Sequence, residues 1–186
     1  ISMMVLLGTS YWTNNQYDAC KKWYHSKMLY NIGAYQSVKK EYEKLYADLR
    51  NRGAFLFEYG HCLHKLKEYD RSTMVLEEAM MHSNDPMILN IIGKNYQASG
   101  EYEKAEEYLI RSTHRLPGRI YPYYLLAKLY AESDYRYEEK LKQAIELVLT
   151  KEPKVQSMAI REMRKEMEEL IVDYNKLSSN LKKEVK

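Results

Sequence analysis

The same ring opens three helical stretches at a fixed interval. Tyr35 and Tyr69 lie 34 residues apart, and Tyr69 and Tyr102 lie 33 apart. A second column of small residues, Gly60, Gly93 and Ala127, recurs at 33 and then 34 residues. Columns of unlike chemistry that share one period call for stacked copies of a small unit, each burying its apolar face on the next. An ordinary helical bundle makes no such demand. The unit is clearest in 93–117. Gly93 allows close approach of a paired helix, Tyr96 fills the space beside it, and Ala105 is the small residue expected to face Gly93. Gly100 supplies a turn that needs a positive backbone torsion, and Pro117 closes the unit because proline cannot continue a helix.

This order of small, aromatic and apolar residues at this period is that of the tetratricopeptide repeat, a helix, a tight turn and a second helix. The expected fold class is therefore all-α, a tetratricopeptide superhelix of about four helix pairs with a C-terminal capping helix. Helices are expected over 17–31 and 35–49, 55–66 and 69–82, and then within 86–117. Asn84-Asp85-Pro86 acts as stop and N-cap. The fourth pair runs from about 120 to 150, with an insertion near 133–136 that should distort its turn. Residues 1–16 read as a lead-in with a helix start near Thr13, 17–152 as the repeats, and 153–186 as a charged cap and tail. Val155, Met158, Ile160, Met163, Met167, Leu170 and Ile171 form the cap's apolar side. A cap of this kind covers the bare edge of the last repeat.

Composition narrows the function classes. The chain has 186 residues, room for one ordinary domain or one short repeat array. It carries 19 Tyr against 2 Phe, which favours helices with amphipathic rings at seams and rims. A net charge of +3 with interspersed signs gives no reason to expect nucleic acid. Cys20 and Cys62 form neither a metal pattern nor a disulfide framework and read as buried helix residues. The apolar run from Ile1 to Leu7 is far shorter than the ~20 residues that span a bilayer. It reads as a packed or disordered terminus, or as the remnant of a preceding segment in a longer protein.

Binding is expected on the concave surface, which the first helix of each repeat lines. One slot carries Trp23, Phe57, Asn90 and Tyr124. One turn along, the same helices carry Lys27, His61, Lys94 and Lys128. Tyr30, His64, Gln97 and Tyr121 could form the rim. Basic groups beside rings suit an extended anionic or sugar-bearing ligand, although lysine is also what solvated helix faces carry. Glu58, His61 and His64 lie at one-turn spacing, but nothing closes a metal site around them. His25, His82 and His114 are scattered. Glu101, Glu103, Glu106 and Glu107 read as a solvated helix start that suits the helix dipole. With no phosphate loop, nucleophile motif or Ser-His-Asp ordering, no enzyme active site and no cofactor are expected.

Leu45-Tyr46, Asn51-Arg52-Gly53-Ala54-Phe55-Leu56-Phe57-Glu58-Tyr59-Gly60 and Gly100-Glu101-Tyr102-Glu103-Lys104-Ala105-Glu106 occur in that order. Leu116-Pro117-Gly118-Arg119-Ile120-Tyr121-Pro122-Tyr123-Tyr124-Leu125-Leu126-Ala127-Lys128-Leu129-Tyr130 and Pro153-Lys154-Val155-Gln156-Ser157 follow. This succession, from about Trp23 to Met167, resembles the tail of the O-antigen ligase family of Bacteroides and its relatives. Those proteins are polytopic inner-membrane glycosyl transfer enzymes with a tetratricopeptide region after the last membrane helix. The resemblance implies an accessory, non-catalytic domain of an inner-membrane protein in surface-polysaccharide assembly, holding a protein partner or orienting the membrane enzyme near anionic lipid or glycan. The family's transfer chemistry belongs to its membrane portion, so no catalytic residue carries over. Arg52, where a tighter Asn-Gly pair is expected, and the irregular turn at 133–136 depart from the pattern. Direct binding of a glycan or lipid-linked glycan, and a free-standing soluble tetratricopeptide adaptor, are the other expectations, and the fragment itself is expected to be soluble.

Overall fold

A computed structural model describes residues 2–153 and 155–184, with side chains for 13, 15–153, 155–172 and 174. All regular structure among them is helical. The helices are α1 (Ser2–Asn31), α2 (Tyr35–Leu49), α3 (Gly53–Lys65), α4 (Tyr69–Met80) and α5 (Pro86–Ala98). They continue with α6 (Tyr102–Arg115), α7 (Tyr121–Tyr130), α8 (Glu138–Thr150) and α9 (Met158–Glu184), with a 3-10 turn at Ser133–Tyr135. The chain divides into two compact units, Ile1–Ser99 and Gly100–Lys186. The division falls in the turn after α5, so the expected third pair gives one helix to each unit.

In the first unit each helix packs on its sequence neighbours, and α1 also packs on α3 and α3 on α5. The first helices of successive pairs thus form one layer. The second helices, α2 and α4, meet through long side chains: Tyr46 and Arg50 both reach Glu78, and Arg71 reaches Glu43. Between the layers lies a core of Val38, Tyr42, Leu49, Phe55, Leu56, Leu63, Leu76 and Ile88, all without exposed surface. The small-residue column has a direct reason here: a Cβ on Gly60 would stand 2.5 Å from Leu76 Cγ. Ser72 donates to the Gly60 carbonyl at 2.7 Å, which ties α4 to α3 at the same point.

In the second unit α6 packs on α7, α7 on α8, and α9 on both α8 and α7. Helix α9 stands beside α7 as α3 stands beside α1. Its buried side centres on Met167. Val155 and Met158, expected on that side, are instead exposed: Val155 precedes the helix, and Met158 opens it before it meets α8. Glu106, expected to be solvated, is drawn into the packing. It accepts from the hydroxyls of Tyr130 and Tyr135, both at 2.7 Å, and from Lys140 Nζ at 2.6 Å. Burial opposes its charge, but those three donors outweigh burial and hold its carboxyl below the usual range.

Three further expectations change. Helix α1 begins at Ser2, well before Thr13; the side chains of the run from Ile1 to Leu7 lie outside the described residues. Helix α3 begins at Gly53, two residues before the expected start at 55. Cys62 is fully buried, whereas Cys20 is half-buried. The Asp85 cap stands as read, its carboxylate accepting from Met87 N–H at 2.9 Å with Pro86 at the first helical position. The insertion near 133–136 is the 3-10 turn, and Tyr135 in it is the buried residue that reaches Glu106.

Positive backbone torsions mark the turns between paired helices. Gly33 and Gly100 both have φ +77°, and Lys67 has φ +61°. The three positions are 34 and 33 residues apart, so Lys67 occupies the slot that glycine holds in the repeats on either side. Left-handed backbone costs an ordinary residue roughly 1–2 kcal/mol. Lys67→Gly should therefore stabilise the chain by about 0.5–1 kcal/mol, and Gly100→Ala should destabilise it by about 1 kcal/mol. A Cβ on Gly100 meets nothing within 4 Å, so the second effect isolates the torsion. Thermal or urea unfolding of the two variants should show shifts of opposite sign.

Candidate functional site

Within the first unit, the expected ring and basic columns come from α1, α3 and α5. Helix α3 sets Phe57, His61 and His64 at i, i+4 and i+7, one stripe of the helix. Their rings form a ladder. Phe57 and His61 stack at 6.2 Å with planes 5° apart, and His61 and His64 follow at 6.4 Å and 22°. All three are half-buried. Tyr30 on α1 and Tyr35 on α2 meet the edge of His61 at 5.7 and 6.0 Å, and the Tyr30 oxygen lies 2.6 Å from His61 Nδ1.

The two histidines are held differently. Ser72 spends its proton on the Gly60 carbonyl, so its oxygen accepts from Asn95 Nδ2 at 2.9 Å. That fixes the amide, and Asn95 Oδ1 then accepts from His64 Nδ1–H at 2.6 Å. A hydrogen-bonded chain of α3, α4 and α5 therefore sets His64 in one tautomer, with Nε2 left as an acceptor. Burial, seconded by the Lys65 and Lys94 charges, pushes the His61 imidazole down to about 4. Burial also lowers His64, against the opposing effect of the hydrogen bond it donates to Asn95. At neutral pH the ladder is a set of uncharged rings.

Trp23 and Lys27 in the first unit, and Tyr124 and Lys128 in the second, serve the packing of their own units. Glu58, buried on α3, accepts from Trp23 Nε1 at 2.9 Å, Lys27 Nζ at 2.5 Å and Tyr42 Oη at 3.0 Å. Trp23 also sets its edge on Phe55 at 5.8 Å. In the second unit Glu166 on α9 accepts from Tyr124 Oη at 2.5 Å and Lys128 Nζ at 2.8 Å. Lysine and tyrosine together hold the Glu166 carboxyl below its ordinary range. Trp23 and Lys27 occupy the same slots as Tyr124 and Lys128. In both cases the next first-layer helix supplies a carboxylate that takes the ring's donor and the lysine's charge. The slot of Glu58 in the following repeats holds Ile91 and Leu125, both buried. Where the apolar Ile91 follows, the preceding pair is Phe57 and a neutral His61, which bring no charge.

Of the remaining expected residues, Asn90, Lys94 and Gln97 lie on α5 of the first unit and Tyr121 on α7 of the second. Asn90 is 2% exposed, and its Oδ1 has no partner among the described residues; its amide points to Met87 Sδ at 3.6 Å. Lys94 and Gln97 are half-buried on α5. Tyr121 stacks on Tyr124 at 6.2 Å on α7. Sequence reasoning did not find Glu166, Asn95 or Tyr35 as parts of this arrangement. Tyr35 had a signal, as the first of the recurring helix openers. Glu166 had none, because α9 stands outside the repeat.

Among the described residues, no group of three or more His, Cys, Asp or Glu side chains could hold a metal ion. No helix among them is long and apolar enough to cross a membrane. No protein-family model matches the chain, and no curated protein matches it. The repeat therefore stands on the chain's own recurrences.

The depressed His61 makes stability depend on pH. A group whose folded pKa lies below its unfolded value of about 6.5 gives stability that is present above pH 6.5 and is lost as pH falls towards 4. The ring is half open to water, so the loss should be about 1–2 kcal/mol, less than the full shift implies. Urea unfolding between pH 7.5 and 4 should show this decline. His61→Phe, which keeps the ring stack, should flatten it.

Proposed function

We propose that this chain is a tetratricopeptide-type binding module without catalytic chemistry, and that it holds an extended segment of a partner protein on the first-helix face. The observation that supports this most is the ladder of Phe57, His61 and His64. Its rings are fixed by packing and hydrogen bonds yet half open to solvent. Preorganised rings with a spare acceptor cost little entropy to engage and suit a peptide offering apolar side chains and N–H donors. The turn slots 33, 67 and 100 and the Gly60 contact with Leu76 support the repeat assignment. Charge weighs against an anionic ligand such as an acidic glycan, because Lys27 and Lys128 are already paired and His61 is neutral.

The wider setting we propose, a domain carried by a membrane glycan ligase in surface-polysaccharide assembly, rests on the resemblance of the motif order alone. Reading the residues encoded before Ile1 tests it: several apolar stretches of spanning length would support it, and none would remove it.

The binding reading is tested by selecting peptides from a displayed library on the purified chain and measuring their affinities. Phe57→Ser and His64→Ala should each weaken binding about tenfold, roughly the 1.4 kcal/mol of one good contact. Lys128→Met should change it little. Equal binding by all three variants, or selection of glycans and no peptide on a parallel array, would overturn the reading.

A further inference from the structure

Helix α1 packs its inner side on α2 and α3, with Ala19 and Ser26 buried and Trp23 and Tyr30 half-buried. Its opposite side carries Tyr17, Lys21, Tyr24, Met28 and Ile32. Steps of four, three, four and four residues keep them on one stripe. Ile32 lies just past the helix, but its N–H still donates to the Met28 carbonyl at 3.2 Å, so it holds the helical register. Tyr17, Tyr24, Met28 and Ile32 are each two-thirds or more exposed. A terminal helix of a repeat stack needs a polar outer side to stay in solution. Helix α9, terminal in its own unit, has one: Arg161, Glu162, Lys165, Glu168 and Glu169 are exposed there. The stripe on α1 is apolar but for Lys21, and a face of that kind calls for an occupant.

The stripe's own pattern selects that occupant. Its intervals read nearly the same backwards, so a second α1 laid antiparallel meets the first in complementary places. About a two-fold axis between residues 24 and 25, Tyr17 faces Ile32 of the other copy, Lys21 lays its aliphatic stem on Met28, and the Tyr24 and His25 rings meet their own copies. Within one chain Tyr24 already stands edge-on to His25 at 6.0 Å, so four rings gather at the axis. Lys21 and its copy then stand seven residues apart along the helices, about 10 Å. A parallel pair would instead set Lys21 on Lys21. Each copy offers about 600 Å² of side-chain surface, so the pair removes about 1,200 Å² from water, the lower end of what a specific interface buries.

We infer that α1 is a homodimer interface, in which two copies of this chain pair antiparallel through the stripe from Tyr17 to Ile32. The contact is isologous, so each copy covers the other's face and the assembly closes at two. It uses α1 alone and no residue of the ring ladder, so it stands or falls apart from the binding reading.

Sedimentation velocity of the 186-residue chain over a concentration series tests this. The mass should pass from monomer to dimer and stop there, and added salt should not dissociate the dimer, since apolar contact carries it. Met28→Lys sets an ammonium against Lys21 of the other copy and should weaken association roughly tenfold or more. Adding Lys21→Glu to Met28→Lys should restore it, because the new carboxylate then meets the new ammonium across the axis. In a parallel pair the same two changes would set like charges together. Lys21 and Met28 are both exposed, so circular dichroism should show both variants folded. A chain that stays monomeric at every concentration would overturn the inference and leave α1 to a different protein. Growth past the dimer, a Met28→Lys variant that dimerises like wild type, or a double variant that stays monomeric would overturn it as well.

Discussion

A carboxylate that gathers ring donors and a cation from neighbouring helices, buried at Glu58 and more open at the others, is the interaction on which this structure turns. Glu58 takes Trp23, Lys27 and Tyr42, Glu78 takes Tyr46 and Arg50, Glu106 takes Tyr130, Tyr135 and Lys140, and Glu166 takes Tyr124 and Lys128. Each carboxylate sits on a different helix from its donors. Burying such a charge is costly alone and tolerable when its lone pairs are filled and a cation stands beside it. The same arrangement explains why a chain with so few Phe has so many Tyr. A tyrosine fills a seam with its ring and still reaches a carboxylate with its hydroxyl.

In the binding reading we propose, this arrangement also decides what is left for a partner. Trp23 and Lys27 in the first unit, and Tyr124 and Lys128 in the second, are each taken up by a carboxylate that a following helix brings. Within the first unit α5 carries Ile91 in the slot of Glu58, and Phe57 and His61 remain as rings without charge. The free part of the face is thus narrower and more neutral than a column of lysines implies.

Much of the fold was legible because repetition overdetermines it. Tyr35, Tyr69 and Tyr102 marked the helix openings, Gly60 marked a close approach, and Asp85 with Pro86 marked a cap, each through a local rule that tertiary contacts did not override. The cap helix was legible as an element but not in its facing, since Val155 and Met158 lie where α9 has not yet met α8. Residues that act through partners distant in sequence were not legible. Glu58 read as one of a one-turn series with His61 and His64, and Glu106 as part of a solvated helix start, and only the helices brought against them reveal their donors. Lys67 was hidden for another reason: its left-handed torsion belongs to the slot, and lysine gives no sign of it.

The most direct measurement is a double-mutant cycle on Tyr42 and Glu58. Both groups are buried, and Tyr42→Phe removes only the hydroxyl. Urea unfolding of wild type, Tyr42→Phe, Glu58→Gln and the double variant gives the coupling between them. If the carboxylate organises the packing, the two costs are not additive, and the coupling is about 1 kcal/mol or more, as for a hydrogen bond to a charged group. Costs that simply add would contradict it, leaving the seam held by ring packing alone.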